Sequence, residues 1–265
     1  MSAPTLARVL ILLPPSEGKS TPRRGRSLDL SALCAPILTS RREQVIDALV
    51  ALAQQPDAAA VLGLGGTLSD LVGLNARLRS APTARADAVY TGVLYDALGF
   101  ATLSSAAKRR STSRLAITSS VFGIVRPGDR IPAYRLSGDI SLPGLGPVAA
   151  VWRGCLGDAL QEQVGSGLLM DLRSTMYAAF WRPPQPGPVR VATVRVLHEV
   201  DGVRKVVSHF NKATKGRIVR DLLEAGANPR TPAALAGALR DLGWTVELDG
   251  DPARGAQLDV VVTEV

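Results

Sequence analysis

Short unbroken apolar blocks alternate with stretches of helical spacing along most of the chain. "RVLILL" at 8–13, "LAITSSV" at 115–121 and "GLLMD" at 167–171 read as strands buried on both faces. Val45, Ile46, Leu49 and Leu52 recur at helical intervals and predict a helix over Arg42–Ala53. The same spacing predicts a helix over Val148–Gln163, a short one near Thr175–Phe180, and a long one over Ser208–Glu224. Val189–Leu197 and Val203–Val207 flank Asp201-Gly202, a hairpin-turn signal. Thr231-Pro232 is a helix start, Gly243 its end, and Trp244–Leu248 and Leu258–Thr263 are closing strands. No repeat or long linker interrupts the series. The expected fold is one mixed α/β domain over 1–265, a mixed sheet with helices around it.

Composition narrows the class. The chain has 265 residues, 46% of them hydrophobic and 20% charged, which suits a globular core rather than disorder. No apolar run approaches the length of a membrane span, and the first residues lack a basic leader, so no membrane partner and a cytoplasmic location are expected. Cys34 and Cys155 are too few and too isolated for a disulfide framework or a metal site, and His198 and His209 cannot supply a three-histidine centre. Neither a metal nor a cofactor is expected. The net charge of +8 favours nucleic acid or small anions as partners. Only five of the 31 cations are lysines (Lys19, Lys108, Lys205, Lys212 and Lys215), and three of those fall in two short motifs.

The first motif, "LLPPSEGKS" at 12–20, ends like a phosphate-binding loop. Such a loop needs a glycine where Leu13 stands, and Pro14 and Pro15 have no N–H to offer a phosphate. What remains is a stiff loop leaving a strand end and presenting Ser16, Glu17 and Lys19, and strand ends are where α/β proteins place their sites. The second motif is "SHFNKATKGRIVRDLL". On a helical wheel Lys212, Lys215, Val219 and Leu222 share one face. Either the lysines line a polar cleft or they snorkel to the surface, and spacing alone leaves both open. Two further features are the basic run Lys108, Arg109, Arg110 and Arg114, a solvated face or a phosphate contact, and "LPGLG" at 142–146, a plain turn or a helix-hairpin-helix turn.

"PPSEGK", "VYTGVL", "SSVFGIVRPGDRIPAYRL" and "VSHFNKATKGRIVRDLL", in that order, resemble the YaaA family of peroxide-stress proteins from about residue 9 to 226. The resemblance implies a single mixed α/β domain with a positively charged cleft and a helix-hairpin-helix-like element at "DLVGLNARL" rather than at "LPGLG". It implies DNA binding and protection from oxidative damage. It carries over Lys19, Arg126, Asp129, Tyr134, Arg135, Ser208, Lys212, Lys215 and Gly216, with Tyr177 and Asp171 in less typical surroundings.

Two functions follow as expectations. In the first, Lys19, Ser16, Arg126, Arg135, Ser208, Lys212 and Lys215 bind the phosphates of duplex DNA, and a turn at Gly73 adds backbone donors. In the second, an enzyme binds a small anionic or nucleotide-like substrate. Lys19, Lys212, Lys215, Tyr134 and Glu17 are then the candidate catalytic groups, because a lysine crowded by cations loses basicity and can act as base or nucleophile.

Overall fold

The structure, a computed structural model, describes residues 8–184, 187, 189–250 and 256–263. Its centre is an eight-stranded mixed sheet. The strands are β1 Val9–Leu13, β2 Leu115–Ser119, β3 Gly123–Val125, β4 Leu168–Asp171, β5 Arg190–Val200, β6 Val203–Lys205, β7 Thr245–Asp249 and β8 Ala256–Val262. They lie in the order β7-β8-β5-β4-β1-β2-β3, with β6 paired to β5. β1 runs parallel to both β2 and β4, with Ile11 opposite Leu115 and Leu12 opposite Asp171. The blocks "VLILL" and "LAITS" are buried throughout, as strands covered on both faces must be.

This order positions the site. From β1 the chain builds outward to β2 and β3 on one side, then returns to β1's other side as β4. The carboxyl ends of β4, β1 and β2 therefore open together at a topological switch point, where α/β sheets leave a crevice. β3 is antiparallel to β2, with Val125 opposite Ile117 and Gly123 opposite Ser119. The chain that follows Val125 thus runs back toward the amino end of β2.

Helices cover both faces: α1 Thr39–Leu52, α2 Val72–Ala76, α3 Val93–Leu98, α4 Ser105–Arg114, α5 Val148–Arg153, α6 Leu156–Val164, α7 Ser208–Ala225 and α8 Pro232–Asp241. Ser104 Oγ accepts from Ala107 N at the start of α4, and Thr231 Oγ1 accepts from Ala234 N at the start of α8. α7 and α3 touch backbone to backbone: a Cβ on Gly216 would lie 2.3 Å from Leu94 O. Asp201 and Gly202, both at positive φ, form the tight turn between β5 and β6.

Three expectations change. The single helix over Val148–Gln163 is two, α5 and α6, broken at Gly154-Cys155 where Cys155 leaves helical geometry at φ −142°. "LPGLG" is the bend of a small hairpin in which Ser141 and Leu142 pair with Pro147 and Gly146. Gly73 forms no tight turn. It lies inside α2, behind a 3-10 segment over Gly66–Leu71.

Candidate functional site

A cavity of about 670 Å³ opens at the carboxyl ends of β1 and β4. The loop Pro14–Gly18 forms one wall, Thr91 to Tyr95 with α3 a second, and the helical turn Thr175–Ala178 a third. Val206 and the first turns of α7, with Asn211, Lys212 and Lys215, complete it. The loop is anchored on all sides: Ser16 Oγ donates to Gly18 O at 2.6 Å and accepts from Thr91 N at 3.1 Å, while Tyr95 Oη donates to Pro14 O at 2.7 Å. The two prolines that spoil a phosphate cradle give this loop its rigid exit from β1.

Lys215 is the buried cation of the cavity. It is 8% exposed, and its Nζ donates to Leu172 O at 2.9 Å, just past the end of β4. Burial lowers its pKa to about 8 against the opposing pull of Asp171. That carboxylate is itself taken up by Arg173, which bonds Asp171 Oδ1 at 2.9 Å and Oδ2 at 2.7 Å and ties down Tyr177 O and Trp181 O. Lys212, one turn nearer the helix start, is exposed at the cavity mouth. Beside it, Asn211 Oδ1 is buried and accepts no hydrogen bond. The wall therefore holds two ammonium groups and one idle acceptor.

Lys19 does not share this cavity with them. It stands one layer behind the loop, where its Nζ donates to Ser16 O at 2.8 Å. The ammonium lies 4.2 Å from the centroid of the Tyr134 ring and 5.6 Å from that of Tyr90. Burial lowers its pKa to about 8, with Glu17 raising it and Arg135 lowering it. Tyr134 is buried too; its hydroxyl meets Tyr90 Oη at 2.9 Å and Ser119 Oγ at 2.8 Å. Burial raises the Tyr134 pKa well above the ordinary phenol value, so it holds its proton and serves as the floor under Lys19. Glu17 lies on the cavity rim, its carboxylate paired with the Arg135 guanidinium.

Arg126 is elsewhere. The antiparallel return of β3 carries it to the amino end of β2. There its guanidinium bonds Ser113 O, Leu115 O and Gln163 Oε1. Asp129 closes the same turn, accepting from Arg126 N at 2.9 Å and Cys34 N at 3.1 Å. Ser208 opens α7, and its side chain lies outside the described residues. The expected set thus divides: Ser16, Glu17, Lys212 and Lys215 line the cavity, Lys19, Tyr134 and Arg135 back its wall, and Arg126 and Gly73 lie apart.

Asn75 and Asn211 escape sequence reasoning. Asn75, fully buried in α2, donates to Arg135 O at 2.7 Å and accepts from Arg135 N at 2.8 Å, so that segment clamps the "YRL" stretch as a strand partner would. Its place in "DLVGLNARL" was the available signal, but the eye falls on the glycine. Asn211 stands next to a more conspicuous lysine. Among the described residues, no group of three His, Cys, Asp or Glu could hold a metal ion, and no helix is long and apolar enough to cross a membrane.

Comparison with known proteins agrees with the motifs. A family model described as peroxide stress protein YaaA matches residues 9–249. A UPF0246 protein of Streptomyces coelicolor is 50% identical over 262 residues, covering 97% of this chain and 100% of that one. A UPF0246 protein of Corynebacterium efficiens is 43% identical, covering 91% of this chain and 96% of its own. A third, from Corynebacterium glutamicum, is 39% identical over 90% of this chain and 95% of its own. The chain belongs to the YaaA peroxide stress protein family.

Proposed function

We propose that this protein is an enzyme acting on a small anionic substrate held in the Lys212–Lys215 cavity, with Lys215 as its base or amine nucleophile. One observation carries the reading: a buried lysine, its pKa lowered to about 8, lines a cavity of about 670 Å³ at the carboxyl ends of parallel strands. That volume is in the range of small-molecule sites. At neutral pH about a tenth of such an amine is unprotonated, enough to take a proton from carbon or attack a carbonyl. Lys212 supplies the exposed charge that draws in an anion, and the idle Asn211 Oδ1 selects a substrate that also carries an N–H or O–H donor.

Duplex binding is less well supported. It needs Arg126, Arg135, Lys212 and Lys215 along one surface, and the first two guanidinium groups are committed to Gln163, backbone carbonyls and Glu17. The peroxide-stress role in the family's name comes to this chain as an indirect one. Burial pushes the Cys34 thiol up to about 12 and raises that of Cys155, so neither is poised as a thiolate to attack peroxide.

A thermal-shift panel of anionic metabolites and nucleotides tests the proposal, run on the wild type, Lys212→Ala and Lys215→Ala with circular dichroism as the folding control. At least one compound is expected to raise the wild-type Tm and to do nothing for either folded variant. A panel in which nothing shifts the wild type, or in which the shift survives both substitutions, sinks the reading.

A further inference from the structure

The basic run on α4 finds a use at the other end of the sheet. There, at the amino ends of β1 and β2, a second cavity of about 410 Å³ is lined by five arginines: Arg8, Arg109, Arg110, Arg114 and Arg230. None of the described residues that line it is acidic. Arg110 and Arg114 have structural duties, donating to Leu223 O and to Ala227 O at and beyond the end of α7. α4 also ends here, at Arg114. Two helix carboxyl ends contribute roughly half a negative charge each, about one in all, against five guanidinium groups. Glu224 is close enough to feel Arg110, but Ser104 N and Oγ already occupy both its oxygens. Among the described residues the exposed side chains of Arg109 and Arg230 make no hydrogen bond, and Arg8 acts on Arg114 and Arg126 as a like charge.

A fold does not need such a concentration of unbalanced charge; packing and helix capping account for only two of the five arginines. Arginines that line one cavity from three separate segments suit the oxygens of a phosphoryl group, which accepts from several donors at once. We infer that the Arg8–Arg109–Arg230 cavity is a second site, distinct from the Lys215 cavity, that binds a phosphoryl dianion. The ligand is a free phosphorylated small molecule, whose terminal phosphate presents two charges on three free oxygens where a backbone phosphodiester presents one charge on two.

Calorimetric titration of the full chain with pyrophosphate, inorganic phosphate and a short DNA duplex, at fixed ionic strength set with chloride, tests the site. Saturable binding of at least one of the two small anions is expected. It should weaken tenfold or more in Arg109→Ser/Arg230→Ser, whose side chains make no hydrogen bond or ion pair among the described residues, and persist in Lys215→Ala. Pyrophosphate or phosphate binding through these two arginines supports the site, and duplex binding through them without either small anion overturns it. Absence of saturable binding by any probe, or affinity unchanged in the double variant, overturns the site. Loss in Lys215→Ala alone would place the anion in the first cavity and overturn it equally. Because the Lys215 cavity is judged by its own variants, either proposal can fail without the other.

Discussion

At the residue scale, Lys215 carries a cost that should be measurable. Its pKa falls from 10.5 to about 8 on folding, so between those values the unfolded chain holds a proton that the folded chain has released. Stability therefore rises with pH through that window, and below about pH 8 the full penalty of burying the ammonium is present. A shift of that size corresponds to ~3 kcal/mol, and orphaning Leu172 O returns about 1 kcal/mol of it. Lys215→Met should therefore be more stable than the wild type by about 1–2 kcal/mol at pH 7. Urea denaturation at pH 7 and pH 9.5 checks this: the wild-type advantage of the higher pH should shrink in Lys215→Met. Lys19 titrates in the same window and keeps part of the slope. A variant destabilised at pH 7 would mean that the hydrogen bond to Leu172 outweighs the burial.

At the element scale, the two ends of α7 do different things, and the contact with α3 holds the helix in place. The absence of a side chain at Gly216 lets α7 lie against Leu94 O and the Leu98 amide, and α3 in turn carries Tyr95, whose hydroxyl holds Pro14 O. Gly216→Ala must separate the helices. The expected loss is about 1–3 kcal/mol of stability, with the ligand response of the Lys215 cavity lost even where the variant still folds. Thermal melts with and without a compound found in the panel would show both, and an alanine variant with unchanged Tm would mean that α3 can slide freely. α7 itself was legible, because its apolar positions repeat at helical spacing from Ile218 onward. The burial of Lys215 was left open, because a helical wheel puts it on the face of Val219 and Leu222 but does not say whether its ammonium stays in a cleft or reaches solvent. The difference between the two was equally hidden: Lys212 stands about 60° from Lys215 on the wheel, yet it is exposed where Lys215 is buried. Arg126 misled for a related reason. Its motif is local, but the β2–β3 hairpin carries it to the opposite end of the sheet, and strand direction is not written in a tripeptide. Asn75 lies in the stretch "DLVGLNARL", but an asparagine that clamps a distant backbone has no periodic signature to single it out there. The central strands were readable because apolar runs of that length have few other homes, whereas their order, which creates the crevice, depends on crossovers among distant segments.

At the scale of the molecule, one sheet separates two cavities, and α7 spans the distance between them. Lys215 lies near its start, and its last carbonyls are held by Arg110 at 2.8 Å from Leu223 O and by Arg114 beyond. From Lys215 to Glu224 the helix rises roughly 14 Å, beyond the range at which substitutions usually couple. The helix could still act as a rod, so that loosening one end disturbs the other. The packing argues against that, because the contact of Gly216 with α3 fixes α7 immediately after Lys215, and Ile218, Val219, Leu222 and Leu223 are buried along the rest. Fraying the last turn therefore stops before it reaches the cavity. Arg110→Gln should cost about 1–2 kcal/mol by leaving helix carbonyls without a donor. Combined with Lys215→Met, the two effects should add to within about 0.5 kcal/mol. A double-mutant cycle by urea denaturation measures the sum. A coupling energy well above that bound would make α7 a lever between the phosphoryl site and the lysine cavity, and the two ends of the sheet would then have to be treated as one regulated unit.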